Sequence, residues 1–302
     1  MTNYHVPVML EECLKGLNIK PNGVYVDTTY GGGGHAKAIL NQLGDDGILL
    51  VFDQDADAVK NRVDDPRMIF CHANFGYLQN FCAYYRLDKI DGLLADLGIS
   101  SHQIDEGERG FSYRFEQAEL DMRMNSSSGL SAIDVLNSYS QDQLATVLQD
   151  YGELRSGFSM AGAICDYRKL NRIEQVQDME RALEGFLSTK NKSKILAQVY
   201  QAIRIEVNQE IEVLKEMLVQ ASDLLANEGR LVVLSYHSLE DRLVKNLIQS
   251  GNLKGERQVD AFGKWTPLYK AINRKPITAS EEELKANSRA RSAKLRIAER
   301  IK

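Results

Sequence analysis

Asp27 ends an apolar run, four glycines follow it in TTYGGGGHAKAIL, and an apolar helical pattern begins at once. A second acid, Asp53, closes the next apolar run, ILLVFDQD. Glycine tolerates positive φ and leaves main chain bare for a close approach. The first turn of a helix offers free N–H groups, and an acid one strand later can accept from two ribose hydroxyls. The set reads as a nucleotide-binding turn, but it does not fix the ligand. The loop departs from GxGxxG, since GGGGH gives out at His35. Asp27 is also an awkward neighbour for a pyrophosphate. It suits a ligand with a cationic end, such as the ammonium and sulfonium of S-adenosylmethionine. A dinucleotide, or glycines that only shape a turn, remain open alternatives.

Two further stretches put chemistry at the ends of apolar runs. DLGISSHQ (96–103) follows IDGLLA, and SYHSLEDRLVK (235–245) follows GRLVVL. In an open α/β sheet, ligands lie beyond the carboxyl ends of the strands. That rule brings Asp96, Ser100, Ser101 and Gln103 to the ligand. The competing role for Asp or Ser here is a helix cap. His237 has the chemistry of a base or a hydrogen-bond donor, or it is a plain loop residue. Ser238 with Asp241 resembles a capping pair, although such a box normally carries Glu or Gln. The five histidines, His5, His35, His72, His102 and His237, show no close ligand spacing, so no metal is expected. His72, inside an apolar run, reads as core.

These residues need a sheet to hold them. Residues 23–28, 48–55, 68–73 and 90–98 are β-rich runs separated by helical patterns, and Ala36, Ile39, Leu40 and Leu43 share one helical face. Strands apolar on both faces and separated by helices imply a parallel sheet covered on both sides. From about 132 to 225 only helical patterns follow, with Val199, Ile203, Val207, Ile211 and Leu214 as a buried stripe. An apolar strand returns at 229–238 and a late one at 264–272. The expected fold class is α/β: a doubly wound, mostly parallel sheet with an inserted all-helical domain. The composition sets the sheet domain at 1–106 and 216–302 and the insertion at 107–215. The net charge of the 302-residue chain is −5, so a nucleic-acid partner needs a local basic patch. Four cysteines without CxxC pairing indicate reduced thiols. No apolar run reaches the roughly 20 residues that span a bilayer, and the first residues lack the order of a signal peptide. A cytoplasmic protein with no membrane partner is expected; homodimerisation is left open.

Taken together, the sequence resembles the MraW/RsmH family of bacterial ribosomal RNA small-subunit methyltransferases. The resemblance rests on HVPVML (5–10), DTTYGGGGH (27–35), FDQDADA (52–58), DLGISSHQID (96–105), RGFSYR (109–114), LDMRM (120–124), QAIRIEVNQE (201–210), SYHSLEDRLVK (235–245) and NSRARSAKLR (287–296). It implies a Rossmann-like class I methyltransferase fold with S-adenosylmethionine as cofactor. It further implies methylation of the exocyclic N4 of a cytidine in 16S ribosomal RNA near the decoding site. The family's cofactor contacts fall on Gly33, Gly34, His35, Asp53, Phe75, Asp96 and Gln103. Asp96 closes the cofactor pocket, and Ser100, Ser101 and His237 are expected to meet the base. The family usually carries phenylalanine where Tyr236 stands. The small ribosomal subunit or its RNA is then the partner, and the insertion is the RNA-recognition element. Further RNA contacts are expected from the basic arm NSRARSAKLRIAERIK. A second set is Arg109, Phe111, Tyr113 and Arg123, whose alternative role is packing within a structured loop. Two other classes compete: an RNA-binding assembly factor that keeps the cofactor fold without turnover, and an NAD-dependent dehydrogenase.

Overall fold

A computed structural model describes residues 7–105, 107–127 and 129–301. Among them seven strands form one sheet: β1 Val24–Asp27, β2 Ile48–Asp53, β3 Met68–His72, β4 Ile90–Asp96, β5 Leu225–Ser235, β6 Tyr269–Ala271 and β7 Lys294–Arg300. The order across the sheet is β3-β2-β1-β4-β5-β7-β6. β1 to β5 pair in parallel, and β7 runs antiparallel to both of its neighbours. The order reverses between β1 and β4. Such a reversal is the switch point at which open α/β sheets hold their ligands. The fold is the Rossmann-like α/β class expected.

The strands are apolar on both sides because both faces of the sheet are covered. On one face Val26, Phe52 and Leu93 pack against Leu214, Met217 and Leu218. On the other, Tyr25, Val51 and Leu94 pack against Cys13, Ile39 and Leu234. The helix Gly34–Leu40 turns Ala36, Ile39 and Leu40 inward, as the helical spacing requires.

The chain forms two compact units. One comprises the residues up to Gly98 and those from Ile211 on; the other is Ile99–Glu210. The boundaries set by composition, 106/107 and 215/216, fall a few residues after these crossings. The helix Glu210–Leu224 explains the second difference, since it carries Leu214, Met217 and Leu218 into the sheet core. The second unit is helical and has its own core, which includes Leu120, Leu136, Leu148, Met160, Val199 and Ile203. Reciprocal capping boxes start two of its helices, Ser131 with Asp134 and Ser140 with Gln143. Among the described residues no helix is long and apolar enough to cross a membrane.

Four readings of the sequence need correction. The basic C-terminal segment is not a free arm: Lys294–Arg300 is β7, inserted between β5 and β6. Leu295 and Ile297 fill the core, while Arg296 is buried and forks onto Asp241 at 2.6 and 3.1 Å. Arg300 donates to the carbonyls of Ser222 and Leu268. β5 begins earlier than expected, at Leu225, through an irregular pairing opposite Ile90–Gly92. The late strand shrinks to Tyr269–Ala271. His72 closes β3 and is exposed, not core.

Candidate functional site

The glycine turn joins β1 to the helix Gly34–Leu40. Gly31 and Gly33 adopt φ of 53° and 75°, a region that costs an L-residue about 1–2 kcal/mol. The chain itself supplies much of the close approach. A Cβ on Gly33 would lie 2.6 Å from the Tyr30 hydroxyl, and one on Gly34 would lie 2.2 Å from Cγ of Pro7. Tyr30 is fixed there, donating to the Asn61 carbonyl and accepting from the Val63 N–H, each at 3.0 Å. Asp53 ties the turn to the end of β2, because its Oδ2 accepts from Gly31 N–H and its Oδ1 from Asp55 N–H, both at 2.8 Å. Burial pushes the Asp53 carboxyl up from its ordinary value.

β1 and β4 each end in an acid. Asp27 pairs in register with Leu94. Asp96 lies two residues beyond Leu94, so the two-residue period of a strand puts both carboxylates on one face. Asp27 is buried; its Oδ1 accepts from Thr29 N–H at 3.0 Å, and its Oδ2 has no partner among the described residues. Asp96 Oδ1 accepts from the Tyr236 hydroxyl at 2.7 Å, and Oδ2 stands 3.7 Å from Nδ1 of His35. His35 is itself buried. Its Nε2 lies 3.1 Å from the Val8 carbonyl, which can only accept, so Nε2 carries the proton and Nδ1 is bare. Burial lowers the His35 pKa and keeps the ring neutral. With no lysine or arginine paired to either acid among the described residues, burial raises Asp27 to about 6 and Asp96 to about 7. An unpaired buried carboxylate is costly, and such clusters concentrate at functional sites.

Tyr236 reaches Asp96 from the loop after β5. That loop is capped differently from the expectation: the helix Ser238–Ser250 has His237, not Ser238, at its N-cap position. Glu240, three residues on, accepts from the N–H groups of Tyr236 and His237 at 2.8 and 3.3 Å. Asp241 is spent on Arg296 instead. The His237 ring is buried. Its Nε2 is 3.1 Å from Glu240 Oε1 without hydrogen-bond alignment, and neither ring nitrogen has a hydrogen-bond partner among the described residues. Phe75 opens a short 3₁₀ turn after β3 and packs against the first core.

In the second unit, Ser100 and Gln103 form a reciprocal cap. The Gln103 N–H donates to Ser100 Oγ at 3.2 Å, and the Ser100 N–H donates to Gln103 Oε1 at 3.1 Å. The capping role weighed for Ser100 is thus realised. Ser101 begins the helix Ser101–Asp105; its side chain, like His5 and the side chain of His102, lies outside the described residues. The aromatic and basic loop set packs internally, contrary to a stacking surface. Arg109 donates to the carbonyls of Arg123 and Met124. Phe111 is buried under Arg109, Tyr113 meets Tyr200 edge-on at 5.9 Å, and Arg123 forks onto Asp121.

Residues 2–301, which include the glycine turn, Asp53 and both acids, match the MraW methylase family. The chain belongs to the MraW methylase family. It is 49% identical to the ribosomal RNA small subunit methyltransferase H of Bacteroides thetaiotaomicron, over 98% of this chain and 97% of that one. Against the protein of the same name from Christiangramia forsetii it is 50% identical, over 100% of this chain and 99% of that one. As an MraW-family methylase it is an enzyme of methyl transfer.

Tyr236 is the contact that residue types and spacing did not nominate. The signal was present, since an aromatic hydroxyl beside His237 lies at the same sheet edge as Asp96. Its meaning depends on β4 and β5 being neighbours, which the sequence order does not state.

Proposed function

We propose that this protein transfers a methyl group from S-adenosylmethionine to the exocyclic N4 of a cytidine in 16S ribosomal RNA. The observation that carries the reading is the unpartnered Oδ2 of Asp27, buried beside Asp96 and the glycine turn. Two such carboxylates repel one another until a cation reaches them. The donor's ammonium and sulfonium fit that demand, whereas the pyrophosphate of a dinucleotide would meet like charge. Asp53 keeps lone pairs beyond its two backbone contacts with which to accept from ribose hydroxyls. In this reading Gly33, Gly34, His35, Phe75 and Gln103 complete the cofactor's surroundings. The cofactor supplies a methyl group on a sulfonium that is already an activated leaving group.

The remaining work belongs to the chain. The cytosine amine is a poor nucleophile because its lone pair is delocalised into the ring, so it must be aligned and relieved of a proton. Asp96, its pKa raised to about 7 by burial and its carboxylate oriented by Tyr236, takes that proton in its ionised form. A base with a pKa close to the working pH is the effective one. Ser100, Ser101 and His237 contact the base. The target must be unpaired or flipped out, because a stacked base hides its amine. The insertion is the RNA-recognition element, and a ribosomal substrate places the enzyme in the cytoplasm. The names of the relatives support the substrate class.

The test is methyl transfer from labelled donor to small-subunit RNA taken from cells without this protein, with mass mapping of the modified cytidine. One cytidine should gain a methyl on its exocyclic amine, and Asp96→Ala should fold yet transfer none. Unchanged activity in that variant would end the assignment of Asp96, and RNA binding without transfer by the native chain would leave only an assembly factor.

A further inference from the structure

Four of the cations first expected to meet RNA are engaged elsewhere: Arg296 and Arg300 within the sheet, Arg109 and Arg123 within their loop. A different surface carries the matching chemistry. Between the helix Ser238–Ser250 and β6, residues 259–265 form a tight antiparallel turn. Val259 bridges Trp265, the Asp260 N–H donates to the Lys264 carbonyl at 3.0 Å, and the Gly263 N–H donates to the Asp260 carbonyl at 2.9 Å. Asp260 Oδ1 accepts from the N–H groups of Phe262 and Lys264, both at 2.9 Å. This construction holds Phe262 at the tip, 95% exposed, with Val259 57% exposed below it. The Arg257 guanidinium lies 4.3 Å over the Trp265 ring.

Charge decides what such a tip would meet. Residues 254–275 carry Lys254, Arg257, Lys264, Lys270, Arg274 and Lys275 against Glu256 and Asp260, in a chain whose net charge is −5. The Asp260 carboxylate is also occupied by the turn. A presented aromatic ring among cations suits a polyanion whose units have flat faces, and single-stranded nucleic acid is that partner. A protein groove or a second copy of the chain would take the ring without needing the cations.

We propose that the turn 259–265 is a docking element for single-stranded RNA, with Phe262 stacking on a base while Arg257 and Lys264 meet phosphates. The proposal rests on the RNA-methyltransferase reading and names a surface that reading uses. The probe is a fluorescent oligocytidylate of roughly 12 nucleotides titrated with the full-length protein at several salt concentrations. Phe262→Ala should weaken binding roughly tenfold. Arg257→Gln with Lys264→Gln should flatten the slope of log affinity against log salt by about 0.7 for each phosphate no longer neutralised. Phe262 touches almost nothing in the folded chain, so melting temperature and cofactor affinity should not move in Phe262→Ala. Native affinity and slope in both variants would overturn the proposal. So would unchanged RNA binding in Phe262→Ala accompanied by a dimer that falls to monomer in sedimentation. Calorimetric titration of S-adenosylmethionine into the same samples keeps the two readings apart: absent heat defeats the methyltransferase reading, unaltered RNA affinity defeats this one.

Discussion

Replacing Asp96 by asparagine should stabilise the cofactor-free protein at alkaline pH while destroying its activity. The carboxyl is raised from 3.8 to about 7, chiefly by burial. A folded pKa above the unfolded one means that the folded state holds its proton more tightly. The stability this contributes is full below about pH 4 and is lost as pH rises through about 7. At ~1.4 kcal/mol per pH unit, the loss amounts to roughly 4 kcal/mol by pH 8. Asparagine keeps the shape and still accepts from the Tyr236 hydroxyl, but it carries no charge. It also removes the like charge that helps to raise Asp27. Tm of Asp96→Asn should therefore exceed that of the native chain by roughly 8–16 °C at pH 8. The increment should vanish near pH 4, where both carboxyls are protonated. The groups facing this site are Asp27 on β1, His35 after the glycine turn, Cys13 on the helix Leu10–Leu17 and Glu240 beyond β5. Of these, His35 is held neutral by burial and Cys13 is raised well above its ordinary value. Scanning calorimetry at pH 4, 6 and 8 without cofactor reads the effect. A variant that melts at or below the native chain at pH 8, or that gains equally at pH 4, would refute the argument. Saturating cofactor should narrow the gap, since a ligand cation stabilises the native carboxylate and gains less from the amide.

Three further outcomes follow from named contacts. Gly33→Ala forces a left-handed alanine and pushes its Cβ against the pinned Tyr30 hydroxyl; the loss is about 3 kcal/mol, with part recovered by adding Tyr30→Phe, as urea unfolding of the two variants would show. Tyr236→Phe removes the donor that lowers Asp96, so the acid limb of the methylation pH profile should move upward by about one unit or more. Activity at pH 7 should drop roughly five- to tenfold and recover by about pH 9, whereas an unshifted limb with a uniform loss would mean that Tyr236 acts only in packing. Arg296→Ala removes the fork from the Asp241 carboxylate and leaves it only Lys294, at 3.7 Å, and should cost about 2 kcal/mol in urea unfolding, more than an exposed surface pair would.

The parts of the fold legible in sequence were those where burial on both faces leaves a continuous apolar run. β1, β2 and β4 end in Asp27, Asp53 and Asp96 for that reason, and the polar ends mark the open edge of the sheet. β7 escaped notice because its run is broken by Arg296, whose charge is admissible inside only through Asp241, fifty-five residues earlier in the chain. The same limit applies to the glycines. Their number announces a turn, but the Tyr30 hydroxyl against Gly33 and the Pro7 ring against Gly34 are set by tertiary folding. A capping serine was placed one residue late, at Ser238, because the cap residue is His237, an unusual type for that position. The partners of Arg296 and Gly34 lie far off in the chain, and local pattern carries no information about them.

The topology also explains why two acids rather than one stand at the site. β1 and β4 are neighbours only because the sheet reverses order there, and their register sets Asp27 opposite Leu94. Asp96 lies two residues farther on, so it shares the face of Asp27, where Tyr25 and Leu94 build the core beneath both. A spacing of one or three would have sent Asp96 to the other face, toward Leu93 and Ala95. The aligned spacing concentrates negative charge over an apolar floor with a neutral histidine as its neighbour, an arrangement that weakens the empty protein. A cation at this position, as in the proposed binding of S-adenosylmethionine, would offset that cost and tie the stability of the sheet unit to its ligand.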